Sequence, residues 1–132
     1  MVTKNFFWFY NKTKKVRMMT YAIRFYKKEK LVSKTLDIDE ELYNKLEFLS
    51  NEIYDASISK LVNVAIEDLI ESENIQIYKR KNNSYVSRSF LIRDSLLEGL
   101  YELKKKYRVP IYLLVNIAIR NELAEENLEL ML

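Results

Sequence analysis

The chain has 132 residues, enough for one compact domain or for two small units sharing a core, and its 48% apolar and 31% charged residues are those of a globular protein. It holds no Cys and no His, which removes disulfides, thiolate zinc sites and the commonest general base; a single Gly and a single Pro leave no glycine-rich phosphate cradle. The formal charge of +3 conceals a segregation: residues 1–34 hold ten Lys/Arg against one acid, 35–74 two against eleven, 75–110 nine against three, and 111–132 one against four. Clustered basic charge of this kind is the electrostatic footprint of a polyanionic partner.

Residues 1–30 form a basic, aromatic extension. The run Phe6–Tyr10 is too short to span a bilayer, and it lacks the apolar core of a signal peptide. A soluble cytoplasmic protein is expected, in the host cytoplasm if the chain is viral. Met18 and Met19 offer an alternative start, which would make residues 1–17 dispensable. Residues 21–26 alternate in polarity and predict an extra strand that turns through 27–30 into the next element.

From Val32 to Ile38 the polarity alternates, with Leu36 and Ile38 on one face and Ser33, Thr35 and Asp37 on the other, which predicts a half-buried strand. Asp39 is placed as the N-cap of a helix whose first turn carries Glu40 and Glu41, where the dipole favours acids. Leu42, Leu46, Leu49 and Ile53 follow as one apolar stripe. Asp55-Ala56-Ser57 breaks the helix, and Ser57 or Ser59 caps a second one over about 58–70. Residues 75–79 predict another extra strand before a second unit.

The second unit repeats the first. Val86–Ile92 follows Val32–Ile38, and Leu96, Leu100, Leu103 and Tyr107 follow Leu42, Leu46, Leu49 and Ile53, all at an offset of 54. Leu61-Val62-Asn63-Val64-Ala65-Ile66 then recurs as Leu114-Val115-Asn116-Ile117-Ala118-Ile119 at an offset of 53, so one residue is missing from the turn between the second unit's helices. Helical patterning alone explains recurrent leucines, but not a near-identical hexapeptide. Pro110 suits the first turn of the last helix, where its missing N–H costs nothing. The division expected is 1–30 extension, 31–74 acidic copy one, and 75–132 basic copy two with an acidic helical tail. Both second helices are apolar nearly all round, so neither unit can bury its own and the two must interlock. Asn63 and Asn116 sit inside the apolar hexapeptides; they are either a buried pair that fixes register or, the reading slightly preferred, exposed polar positions. No pair of carboxylates is marked out for acid–base work, so neither an enzyme nor a metal or cofactor site is expected.

A strand followed by two helices, with the second helix completing a two-fold core, resembles the ribbon–helix–helix family of the Arc, MetJ and CopG kind. The resemblance covers 31–70 and 85–123 and rests on pattern and spacing. It implies a mainly α fold with a small antiparallel β ribbon, here a single-chain pseudo-dimer. In that family the ribbon enters the major groove of double-stranded DNA and the second helices hold phosphates at their N-termini. Carried over, the base-reading positions are Ser33, Thr35, Asp37, Ser87, Ser89 and Leu91. None of them is the Arg, Lys, Asn or Gln usual on this face in the family: Ser and Thr can donate or accept at several base edges, Asp37 suits a cytosine amino group and Leu91 a thymine methyl. The phosphate positions are Ser57 and Ser59 in copy one and Ile111 and Tyr112 in copy two, together with Lys34, Arg88, Lys79, Arg80, Lys81, Lys104, Lys105, Lys106 and Arg108.

The function implied is a DNA-binding, repressor-like regulator of transcription. Two alternatives stand beside it. One is a protein-interaction module on the same scaffold, of the viral inhibitor or antitoxin kind, using the acidic copy or the tail; the other is a DNA-binding accessory protein of a conjugative relaxosome. The chain is expected to be a monomeric pseudo-dimer or a dimer of it.

Overall fold

The computed structural model describes residues 29–79 and 84–125. Two strands and four helices alternate as β1 (Leu31–Asp39), α1 (Glu40–Phe48, prolonged by a wider turn over Leu49–Ile53), α2 (Ile58–Ser72), β2 (Tyr85–Arg93), α3 (Asp94–Tyr107) and α4 (Ile111–Glu125). The fold is mostly helical with one small two-stranded antiparallel sheet. None of the described helices is long and apolar enough to cross a membrane.

The alternation of the strands sorts their side chains as expected. Leu36, Ile38, Phe90 and Ile92 are buried, while Ser33, Thr35, Asp37, Ser87, Ser89 and Leu91 are exposed on the other face. The strands pair in the register Leu31↔Arg93 through Asp39↔Tyr85, with Thr35 opposite Ser89 at the middle. These two residues are themselves 54 apart, so each position meets the counterpart of its own mirror position. Their hydroxyl oxygens lie 2.7 Å apart.

Beneath the sheet, α2 and α4 form the centre of the core. Leu61, Val62, Val64, Ala65, Ile66 and Leu69 meet Leu114, Val115, Ile117, Ala118 and Ile119, and all eleven are essentially inaccessible. Burying an aliphatic side chain of this size is worth about 1.5–3 kcal/mol, so these two helices dominate the driving force for folding. The stripes of α1 (Leu42, Leu46, Leu49) and α3 (Leu96, Leu100, Leu103) cover them from outside.

Four local expectations are corrected. Residues 75–79 form no strand; Ile75 and Tyr78 instead pack on the core, and the Tyr78 hydroxyl donates to the Asp39 carboxylate. The strand expected at 21–26 lies outside the described residues. Asp39 flanks α1 as placed, but its side chain makes no capping bond and turns inward to Tyr78. Pro110 stands just before α4 rather than in its first turn, its carbonyl accepting from the Leu114 N–H. The one-residue difference between the copies is not in the inter-helix turn. Asp55 and Arg108 are both left-handed and both lie three residues before a second helix, so the copies already match from there on. The extra residue sits upstream, where the Tyr54 N–H reaches back five residues to the Leu49 carbonyl and widens the end of α1.

Candidate nucleic-acid interface

Two paired strands have two free edges, and each edge carries N–H and C=O groups that need partners. Here those partners are side chains from the second helices, and each helix serves the strand of the other copy. On β2, the Leu91 N–H donates to Ser59 Oγ at 3.0 Å, the Arg93 N–H donates to Asn63 Oδ1 at 2.9 Å, and Asn63 Nδ2 donates to the Leu91 carbonyl at 2.7 Å. On β1, the Asp39 N–H donates to Asn116 Oδ1 at 2.8 Å, and Asn116 Nδ2 donates to the Asp37 carbonyl at 3.0 Å. Each amide imitates one residue of a third strand. Each also donates to the carbonyl four residues back on its own helix, Ser59 for Asn63 and Tyr112 for Asn116. Both asparagines are buried, which corrects the reading of exposed positions. They bind the ribbon rather than each other.

These bonds fix the geometry of the outer face. The start of α2 is held at the Leu91 end of the ribbon and the start of α4 at the Asp37 end. Between them lie the six exposed positions singled out in the sequence. Leu31 and Tyr85, also exposed, stand at the two rims of that face, opposite Arg93 and Asp39. The sequence reading did not include them, although strict alternation from Ser33 and Ser87 leads straight to both.

The phosphate positions divide. Ser57 is the N-cap of α2, accepting from the Lys60 N–H, and Ser59 is engaged with β2. Ile111 has a buried side chain, while Tyr112 is exposed at the head of α4. Lys34 and Arg88 belong to the inner phase of the strands and lie against tyrosines of the first helices. The Lys34 ammonium donates to the Tyr101 hydroxyl at 3.3 Å, and the Arg88 guanidinium stacks over Tyr43 at 5.1 Å from the ring centre. Lys79 is exposed; Arg80 and Lys81 lie outside the described residues. Lys104, Lys105, Lys106 and Arg108 are exposed together where α3 ends and turns towards the start of α4.

Lys106 is the member of that cluster already committed. Its ammonium donates to Glu73 Oε1 at 2.8 Å, and the Tyr107 hydroxyl donates to the same oxygen at 2.9 Å, tying the end of α3 to the end of α2. The bond from Lys106, then that from Tyr107, hold the Glu73 carboxyl below the usual carboxylate range, and the bond to Glu73 holds the Lys106 ammonium above its usual range. A lowered carboxyl stabilises the fold above its unfolded pKa and loses that contribution as pH falls through the folded value. A raised ammonium stabilises below its unfolded pKa and loses it as pH rises through the folded value. The stability difference between the parent and Lys106→Ala is therefore expected to be level across neutral pH and to shrink towards both acid and alkali. Thermal unfolding at several pH values measures it.

One group of acids, Asp68 on α2 with Glu122 and Glu125 on α4, brings carboxylate oxygens within 4.8 Å of one another. Such clusters are common without an ion, and this one lies away from the ribbon face. Searches with family models, curated proteins and solved structures gave no match to this chain.

Proposed function

We propose that the chain is a DNA-binding protein of the ribbon–helix–helix kind, a single-chain pseudo-dimer acting as a repressor-like regulator. The observation that supports this best is the outer face of the ribbon: six exposed side chains centred on Thr35 and Ser89, with the start of a 15-residue helix held at either end. A two-stranded ribbon fits the major groove, and its outward hydroxyls can donate or accept at several base edges. Helix starts supply N–H groups and a favourable dipole for the flanking phosphates. The two strands present different side chains, Asp37 opposite Ser87 and Ser33 opposite Leu91, so the preferred site is non-palindromic. Grip on the backbone comes mainly from copy two, through Lys104, Lys105 and Arg108.

Binding to double-stranded DNA, followed by gel shift or anisotropy over a salt series, tests the reading. Affinity is expected to fall steeply with salt. Lys104→Ala with Lys105→Ala should flatten the slope by about one for each phosphate that is no longer neutralised, whereas Lys60→Ala, in the first turn of α2, should flatten it by at most about one. Lys45 is unsuitable as a control because it is buried and paired with Glu41. No binding to any duplex at low salt would falsify the proposal.

A second reading rests on the same face. Leu31, Leu91 and Tyr85 are exposed apolar or aromatic groups beside the acid Asp37, a mixture suited to a protein partner of the inhibitor or antitoxin kind. Charge reversal Asp37→Lys separates the two: it should strengthen binding to DNA, but weaken docking of a basic protein surface. A relaxosome accessory role is the DNA-binding reading in another setting.

A further inference from the structure

The centre of the hydrophobic seam between the copies hardly tells them apart. The hexapeptides differ only at Val64 and Ile117, so these two stretches are nearly interchangeable. Two chains could then exchange halves, a familiar hazard of internal duplication. Around that centre the copies differ in packing, with Leu36, Lys45 and Leu69 of copy one answering to Phe90, Gly99 and Glu122 of copy two, and in a set of four charged residues.

Asp39 and Arg93, the last residues of β1 and β2, are counterparts at an offset of 54, and both are buried. Glu67 and Arg120 are counterparts on α2 and α4 at an offset of 53. The fold brings each strand end against the second helix of the other copy. At one end, the Arg93 guanidinium of copy two pairs with the Glu67 carboxylate of copy one at 3.2 Å. At the other end the charges are reversed, and Tyr78 stands between them. Its hydroxyl donates to the Asp39 carboxylate, and its ring lies 4.3 Å from the Arg120 guanidinium, measured to the ring centre. The basic strand end therefore meets an acidic helix, and the acidic strand end meets a basic one.

We infer that this reversal is a pairing code: it makes copy one accept copy two and reject a second copy one, so that the chain closes on itself. In a pairing of two first copies, Glu67 would face Asp39 of the other chain. In a pairing of two second copies, Arg120 would face Arg93. Each exchange sets a like charge, half-buried Glu67 or exposed Arg120, against a buried strand end that loses its partner. Both like-with-like pairings are penalised and only copy one with copy two is complementary; the short connection between α2 and β2 then favours the copy two of the same chain. The inference rests on the two-copy arrangement of the pseudo-dimer and not on DNA binding.

The double variant Glu67→Arg/Arg120→Glu inverts the code, making both exchanged pairings complementary and both internal ones repulsive. Sedimentation is expected to give the mass of one chain, 15.9 kDa, for the parent and of two chains for the double variant at the same concentration. The middle of the ribbon supplies an independent readout. The chain has no cysteine, and Thr35 faces Ser89 in the parent but would face its own counterpart when two first copies pair. Thr35→Cys should thus give no disulfide in the parent background and an interchain disulfide in the inverted one. Adding Asp39→Arg and Arg93→Glu to the double variant restores complementarity within the chain and should return the single-chain mass. This fourfold variant also decides the matter if the double variant fails to fold, because a code of charges predicts that it refolds. An inverted chain that stays single, with no interchain disulfide, overturns the inference, and so does a fourfold variant that recovers neither the fold nor the single-chain mass. Both readouts are independent of DNA, so their failure leaves the DNA reading to its own test.

Discussion

Asn116→Ala is expected to be the most damaging single truncation of a polar side chain among the described residues. Asn116 is completely buried, and its amide satisfies the Asp39 N–H and the Asp37 carbonyl on the free edge of β1. Alanine removes both partners and leaves two backbone groups without water to replace them. Each such group costs about 1–3 kcal/mol, so a loss of about 3–4 kcal/mol is expected. That is a large share of the roughly 5–15 kcal/mol that holds a domain of this size together. Asn63→Ala removes the same pair of bonds from β2, but Asn63 is 8% exposed where Asn116 is wholly buried, so water can reach the freed groups more easily. Its cost should be smaller, about 2 kcal/mol. Asn116→Asp should be worse than alanine, because it sets a carboxylate oxygen against the Asp37 and Tyr112 carbonyls that now accept from Nδ2. Urea unfolding of the three variants ranks them. Losses below about 1 kcal/mol for both alanines would show that the edges of the ribbon need no side-chain partners.

The contrast between these asparagines and the leucines around them shows what a sequence of this kind reveals. Alternation over 32–38 and 86–92 and the apolar stripes of the four helices follow from burial alone, and burial has a period that can be read along the chain. The nearly all-apolar second helices even required that the copies interlock. A buried polar residue has no such period. Asn63 and Asn116 looked like ordinary interruptions of an apolar run, because their partners are backbone groups 30 and 77 residues away. The usable signal was their recurrence within the hexapeptide. An exposed position does not need to keep its residue when the neighbouring surface diverges, as Lys60 and Leu113 do.

The surface positions were legible to a different degree. Alternation placed all six ribbon residues on the exposed face, yet it could not separate a phosphate ligand from a cap. Ser57 and Ser59 read alike in the sequence, and the fold gives one to its own helix and the other to β2. Lys106 reads like Lys104 and Lys105, and only the approach of Glu73 sets it apart. Asp39 had every local mark of a helix cap. Tyr78, a residue in the connection after α2, competes for it. In each case the outcome depends on a partner that is distant in sequence, and single-chain periodicity carries no information about it.

The wider turn at the end of α1 leads to the second large effect, a contrast between two deletions. Removing one residue from a helix ordinarily rotates everything beyond it by about 100° and carries the apolar stripe off the core. In α1 the chain already holds one residue more than α3 needs, and the surplus is taken up where the Tyr54 N–H bonds the Leu49 carbonyl. Deleting exposed Asn51 should let that turn close into an ordinary helical one. Leu42, Leu46 and Leu49 would keep their places upstream, and Asp55 would keep its left-handed turn downstream, now at the spacing found between α3 and Arg108. The change in stability should stay within about 1 kcal/mol, because a regular helical hydrogen bond forms while the bond from the Ser50 hydroxyl to the Ala56 carbonyl breaks. Deleting Lys105 from α3 removes a residue from a helix with none to spare. It pulls Arg108 out of its left-handed cap and displaces Val109 and Ile111, both buried, so a loss of at least about 3 kcal/mol is expected. Chemical denaturation of the two deletions reads the difference directly. Equal losses would mean that the wide turn is a required part of copy one, fixed by its own surroundings, and not the trace of a surplus residue.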